Sequence, residues 1–106
     1  MYKISHELPD YEKYNLVSQI RRAAISITSN IAEGYGRFHY QENIQFCRQS
    51  RASIYECEDH LITCLDEGYI NEELYKNTLF LLVETRKILD GYINYLSQEL
   101  KKSKIK

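Results

Sequence analysis

Apolar residues recur at helical spacing along this chain, and no other feature restricts its fold as strongly. In the first such stretch the intervals are four, three, four and four residues: Leu16, Ile20, Ala23, Ile27 and Ile31. This spacing places all five on one face of an α-helix. The 106 residues include only one proline and four glycines, so few positions would interrupt a helix. The sequence therefore predicts an all-α protein.

The first long helix is predicted from about Tyr11 to Gly34. Pro9 disfavours helix at the residue before it, and Asp10 is a plausible N-cap. At the other end, Gly34 and Gly36 could adopt the left-handed conformation that often ends a helix.

Two further helices are predicted, with short linkers before each. The second runs from residue 39 or 40 to residue 67, with Gly68 as its C-cap. The third follows Asn71, a good N-cap. The basic tail, residues 101–106, is expected to fray. Short linkers make successive helices antiparallel neighbours.

The third helix carries two apolar seams, each with a seven-residue interval. One seam consists of Leu74, Leu81, Ile88 and Tyr95, and the other of Leu82, Leu89 and Leu96. Two seams on one helix call for neighbours on two sides. The predicted fold is an antiparallel up-down bundle of the four-helix type, one domain over residues 1–100, with its first helix truncated to a stub. Either a partner chain fills the missing wall, which we favour, or the chain is a three-helix bundle.

The net charge of −1 hides an uneven distribution of charge. Residues 13–51 hold six basic residues against two acidic ones, whereas residues 52–100 hold three against ten. A basic half and an acidic half could bind polyanions locally or could pair with another copy of the chain.

A polar band borders the apolar stripe of the first long helix. Its members are Gln19, Arg22, Ser26, Asn30, Glu33 and Arg37, and Glu56 and Glu58 of the next helix could supply acceptors. Amide, hydroxyl and guanidinium groups make directed hydrogen bonds, unlike the lysines and glutamates of an ordinary solvated face. The favoured interpretation is a structural polar seam between helices or subunits. The alternatives are a groove that contacts a ligand or nucleic acid, and a plain solvent-exposed face.

One run in this helix resembles a known family. It is Gln19-Ile20-Arg21-Arg22-Ala23, continued by Asn30-Ile31-Ala32-Glu33-Gly34. A second signature contains Phe46, Ser53, Glu56, Glu58 and Leu61, followed by Gly68-Tyr69-Ile70. Over about residues 8 to 96 the chain resembles the four-helix-bundle proteins encoded in intervening sequences of 23S ribosomal RNA genes.

The resemblance implies a homo-pentamer with no known enzymatic activity and a suspected link to RNA. A related branch is the accessory protein of diversity-generating retroelements, which binds a reverse transcriptase and nucleic acid. RNA, or a protein that processes nucleic acid, is therefore a candidate partner beside a second copy of the chain.

Three classes of function were weighed. The favoured one is a non-enzymatic homo-oligomer that acts as a structural, assembly or binding module. The alternative is RNA or DNA binding through a basic group beside the aromatic run at residues 35–40, because arginine binds phosphate while aromatic rings stack on unpaired bases. That group consists of Arg21, Arg22, Arg37, Arg48 and Arg51.

An enzyme or metal site is the least favoured class. Glu56 and His60 are four residues apart, as metal ligands on a helix often are, with His6 and His39 as possible additions. No metalloprotease motif, phosphate-binding loop or nucleophile elbow accompanies them, so no catalytic residue, metal or cofactor is predicted. The N-terminal residues lack an apolar signal region, and no apolar run could cross a membrane. These features favour a cytoplasmic location without membrane contact.

Overall fold

The computed structural model describes residues 1–105 and contains one short helix followed by three long ones. The helices are α1 (Tyr2–His6), α2 (Leu16–Tyr35), α3 (Tyr40–Asp66) and α4 (Glu72–Ile105), with a 3-10 turn at Asp10–Glu12. None of the residues 1–105 lies in a β-strand. The predicted all-α bundle with a stub before three long helices is confirmed.

The long helices are antiparallel neighbours, and α3 is the central one. It packs against both α2 and α4, whereas α2 and α4 have few contacts with each other. Ser26 of α2 lies beside Ser53 of α3, and Gly34 lies beside Asn43, so the two helices run in opposite directions. The Cα atoms fill a long, flat volume of 56 × 25 × 15 Å.

The core lies where α3 faces its two neighbours. Ile20 of α2 and Ile54 and Leu61 of α3 are completely buried. The α4 seam of Leu82, Leu89 and Leu96, which we call the inner seam, is buried against them, as are the first four members of the α2 stripe. The apolar spacing therefore identified the core-facing side of each long helix.

The start of α2 differs from the prediction, because the helix begins at Leu16 and not at Tyr11. Asp10 lies in the 3-10 turn and does not cap α2; Asn15 precedes the first helical residue. Tyr11 and Tyr14 are 77% and 89% exposed. Residues 11–15 thus place no apolar side chain in the core, and most of a helix's stability in a protein comes from such packing.

The glycines at the end of α2 also differ from the prediction. Gly36 has a right-handed φ of −76°, and Gly34 is a buried residue inside the helix. A Cβ atom at Gly34 would lie 2.7 Å from Asn43 Oδ1 and 2.9 Å from Phe46 Cβ. Glycine is therefore needed at this position because α2 and α3 approach closely, and not because the chain turns to the left.

The connection between α3 and α4 agrees with the prediction. Gly68 has a left-handed φ of 74°, and the amide of Tyr69 donates to the Cys64 carbonyl at 2.9 Å, which is the Schellman arrangement. Asn71 caps α4, since its Oδ1 accepts from the Leu74 amide at 2.8 Å. From there α4 is helical to Ile105, and fraying of its lysine-rich end stays a prediction. No helix within residues 1–105 has both the length and the apolarity needed to cross a membrane.

Candidate functional site

Three of the four residues of the other α4 seam, which we call the outer seam, are exposed in the single chain, whereas its first residue, Leu74, packs against the core. Leu81, Ile88 and Tyr95 are 64%, 74% and 57% exposed, whereas Leu82, Leu89 and Leu96 of the inner seam are buried. The inner seam is covered by the packing of α4 on α3. Large apolar side chains in a row on a helix surface are typical of an interaction site.

An apolar trough runs beside this seam, between α2 and α4. It consists of two adjoining cavities of about 410 and 170 Å³ that share Ile31 and Tyr92. Its remaining lining residues are Thr28, Ala32 and Tyr35 from α2, and Thr85, Ile88 and Leu89 from α4. The trough lies where a fourth helix would stand in a complete bundle.

The stub α1 lies along the same face of α2, nearer to its N-terminus. Ile4 of α1 is buried, and Arg21 donates from Nε to Ser5 Oγ at 3.1 Å. Arg21 and Thr28 are seven residues apart and therefore lie on one side of α2. The five residues of α1 thus cover one end of this face and leave the rest as the open trough.

At its other end the trough adjoins a third cavity, of about 380 Å³, beside the α2–α3 loop. We call its aromatic lining the aromatic corner, which consists of Tyr35, Phe38, His39, Tyr40, Tyr92 and Tyr95. Phe38 is 99% exposed. The rings of Tyr92 and Tyr95 are nearly parallel, at 13°, with their centroids 6.4 Å apart.

Arg37 also lines this cavity, but its charge is already paired. It contacts Glu33 Oε1 at 2.6 Å and Glu42 Oε2 at 3.9 Å. Its guanidinium carbon lies 5.0 Å from the centre of the Phe46 ring, which is a cation–π distance. These contacts hold the guanidinium in one place at the edge of the corner.

The predicted polar band contacts α3 at its middle, and also at its end, where Arg37 lies near Glu42 and Phe46. Ser53 donates to Ser26 Oγ at 2.8 Å, and Asn30 donates to the same oxygen at 2.8 Å. The other members lie outside this contact. Gln19 donates to Asn15, Glu33 and Arg37 pair with each other, and Arg22 is exposed.

The two glutamates expected to accept from this band have other partners. Glu58 pairs with Arg86 of α4 at 3.3 Å, and hydrogen bonding to Glu58 raises the pKa of Arg86. Glu56 Oε1 lies 3.5 Å from Nε2 of the buried His60. Glu58 therefore ties α3 to α4, and neither residue reaches α2.

The five arginines expected to bind nucleic acid are not gathered in one free group. Arg21 is held against α1, Arg37 is paired with two glutamates, and Arg51 contacts Asp90 of α4 at 3.0 Å. Arg22 and Arg48 are exposed.

The three cysteines are buried free thiols in the core, at positions 47, 57 and 64. Burial raises the pKa of Cys57 and of Cys64 to about 11, which keeps both thiols protonated and unreactive near neutral pH. Glu56 and His60 lie together, but the part of the chain covered by the structure has no group of three or more residues suited to hold a metal ion.

Sequence reasoning missed Tyr92, which lines all three cavities. Tyr92 belongs to neither seven-residue seam, so the periodicity did not select it. It does follow Ile88 by four residues, and that spacing places the two side chains on one face of α4.

The comparisons with known proteins agree with this architecture. Residues 1–91 match the family model described as 23S rRNA-intervening sequence protein. Among curated proteins, no sequence gives a significant match. The family match covers most of the chain, including the stub, α2, α3 and the first part of α4. The chain therefore belongs to the family of 23S rRNA-intervening sequence proteins.

Proposed function

We propose that this protein is a non-enzymatic homo-oligomeric assembly module in which a second copy of the chain closes the α2/α4 trough. The observation that carries the proposal is the exposed outer seam, above all Ile88, which is 74% exposed and lines the trough. A complete four-helix bundle would bury such a seam against its fourth helix.

The hydrophobic effect favours this closure. Burial of apolar surface contributes roughly 25 cal/mol per Å², and the trough and the outer seam form one continuous apolar surface. Tyr35, Tyr92 and Tyr95 suit an interface, because a tyrosine ring buries area while its hydroxyl keeps a polar contact.

The charge distribution favours a second copy as the occupant. Four acidic residues lie between the last residue of α3 and the first turn of α4, whereas the far end of α4 carries three lysines. The acidic residues are Asp66, Glu67, Glu72 and Glu73, and the lysines are Lys101, Lys102 and Lys104. The acidic start of α4 in one copy attracts the basic end of α4 in another, and ends of like charge repel each other. The homo-pentamer implied by the family resemblance is the particle that we expect.

A single substitution in the trough tests the proposal. Ile88→Glu places a charge in the apolar contact, so the mass of the particle in light scattering should fall toward that of one 12.6 kDa chain. The matched control is Ile62→Glu, which changes an exposed isoleucine of α3 that does not line the trough. A monomeric wild-type protein at high micromolar concentration would refute the proposal, as would an equal loss of mass in both variants.

Nucleic-acid binding through the five arginines is less well supported than self-association. Three of them already have partners within the chain, and releasing them would cost those contacts. Arg22 and Arg48 alone offer little positive charge to a phosphate backbone, whose binding depends on the number of cations in contact.

A further inference from the structure

We propose that the aromatic corner binds unpaired nucleobases of single-stranded nucleic acid. This inference goes beyond self-association and depends on Phe38, His39 and Tyr40, which line the corner but not the trough. The remaining rings of the corner, Tyr35, Tyr92 and Tyr95, also border the surface proposed above for the second copy. The inference also differs from recognition by the five arginines, because stacking and not phosphate pairing is its main contact.

The corner presents flat aromatic surfaces to solvent. Phe38 is 99% exposed, and the Tyr35 and Tyr95 rings are mostly exposed beside it. Exposure of an aromatic ring to water is unfavourable. A base that stacks on the ring removes one face of the ring and one face of the base from water. Four tyrosines, one phenylalanine and one histidine line this cavity of about 380 Å³. The cavity has enough space for a flat heterocycle.

Two rings of the corner, Tyr92 and Tyr95, are positioned by contacts within the chain. Tyr92 receives a hydrogen bond from Asn43 Nδ2 at 3.1 Å and stacks on Tyr95. Arg37 is fixed by its glutamates and by Phe46, so its flat guanidinium offers a further stacking surface without a free charge. Side chains that are already positioned lose little conformational entropy when a base binds to them.

Positive charge lies next to the aromatic corner. Leu96 lines the corner, and α4 continues beyond it through Lys101, Lys102 and Lys104, of which Lys102 pairs with Glu99 at 3.4 Å. At 1.5 Å per residue, Lys101 and Lys104 follow Leu96 by about 7 and 12 Å along the helix axis. The opposite end of α4 is acidic in its first turn, with Glu72 and Glu73. Phosphates of a strand are therefore attracted to the end of the molecule where the aromatic rings lie.

The ligand chemistry follows from these two features. Bases in a duplex are already stacked on each other and cannot lie on a protein ring without being separated. Unpaired bases have free faces, and each type of base can stack. The corner should therefore prefer single strands to duplexes and show little sequence preference.

The test is fluorescence anisotropy of the full chain with labelled ten-nucleotide single strands of RNA and of DNA, and with an RNA duplex. We expect the single strands to bind at least about ten-fold more tightly than the duplex at low salt. Phe38→Ala should weaken that binding by about 5- to 100-fold, the range expected for the loss of one base stack. The matched control, Phe80→Ala, removes an exposed phenylalanine of α4 that does not line the corner and should leave binding unchanged.

A second variant checks the charge at the end of α4. Replacing Lys101, Lys102 and Lys104 with glutamine should lower the salt dependence of binding, with the slope of log K against log salt smaller by about 2. The preference for single strands should remain, because the rings are unchanged.

Several outcomes would overturn the inference. These are no binding of either single strand at low salt, equal binding of the duplex, or equal effects of the two phenylalanine variants. Light scattering on Phe38→Ala separates the inference from the proposed function. An unchanged particle mass with lost binding supports a nucleobase site, whereas a lower mass with lost binding would assign Phe38 to a subunit contact. Failure of the Ile88→Glu test alone leaves the nucleobase site standing.

Discussion

Asn43 of α3 donates a hydrogen bond from Nδ2 to the hydroxyl of Tyr92 on α4, at 3.1 Å. The same asparagine lies against Gly34 of α2, where an added Cβ would be 2.7 Å from its Oδ1. Asn43 therefore touches both neighbouring helices at the point where the trough meets the aromatic corner. It couples the position of the Tyr92 ring to the packing of α2 on α3.

The first prediction concerns this hydrogen bond. Tyr92→Phe keeps the ring but removes the hydroxyl, which leaves the amide of the buried Asn43 without this partner. We expect the free energy of unfolding, measured in urea, to fall by about 1–2 kcal/mol. Tyr95→Phe is the control, because the Tyr95 ring is largely exposed, and its effect should stay within about 0.5 kcal/mol. Similar losses in the two variants would contradict the role given to Asn43.

The second prediction compares two helical glycines. Gly34→Ala forces Asn43 or Phe46 to move, because the new methyl group would lie under 3 Å from both side chains. The resulting overpacking should lower the free energy of unfolding by about 1–3 kcal/mol. Gly91→Ala meets nothing within 4 Å and should raise it by up to about 1 kcal/mol, since alanine favours helix. Thermal denaturation of both variants checks whether stability falls in Gly34→Ala and rises in Gly91→Ala. A stabilising Gly34→Ala would show that the helices are not in close contact there.

The third prediction concerns a buried link between α2 and α3. Ser50 Oγ donates to the carbonyl of Ile27 at 2.7 Å, and Ser50 is completely buried. Ser50→Ala should lower the free energy of unfolding by about 1 kcal/mol through loss of this bond. Ser18→Ala at an exposed position of α2 should have almost no effect. Urea unfolding should give a lower midpoint for Ser50→Ala than for Ser18→Ala. Equal midpoints would mean that the Ser50 hydrogen bond adds no net stability.

The fourth prediction concerns pH. Burial raises the pKa of Cys57 and Cys64 from 9 to about 11, so the folded state retains these protons more strongly than the unfolded state. Their contribution to stability is complete below pH 9 and is lost as the pH rises toward 11. Urea titrations at pH 8 and pH 10.5 should show this loss.

A variant with both cysteines replaced by alanine is the control for the pH effect. This variant should be less stable than the wild type at both values of pH. Its loss of stability from pH 8 to pH 10.5 should be smaller than that of the wild type. In the native wild type at pH 8, a thiol reagent should react with the buried cysteines only as fast as the protein opens. Rapid labelling without unfolding would contradict the burial of these thiols.

Much of the fold could be predicted from the sequence because each long helix marks its buried face with apolar residues. The turn at Gly68 and the cap at Asn71 were also predictable, since both depend on local chemistry. The start of α2 and the role of Gly34 were not, because both depend on what packs against these residues. Tyr11 offers nothing to the core, and Gly34 is required by a side chain nine positions further along the chain.

The candidate site was predictable only in outline. The seven-residue interval of the outer seam indicated a second apolar face on α4. In the single chain most of that face is exposed. The arginines illustrate the limit, since Arg51 finds Asp90 and Arg21 finds Ser5 only in the folded chain. Residue type alone gives no sign of which arginines already have a hydrogen-bond or ion-pair partner within the chain.

The close approach at Gly34 has a consequence for how the native protein opens. Because α2 and α3 approach this closely, they cannot slide or separate without losing the hydrogen bonds of Ser50 and Ser53 together. The amide hydrogens of α2 and α3 should therefore exchange slowly and as one unit. In contrast, one flank of α4 is uncovered in a single chain that has separated from its partner copies. Partial unfolding should therefore begin with α4 swinging away from a persistent hairpin of α2 and α3.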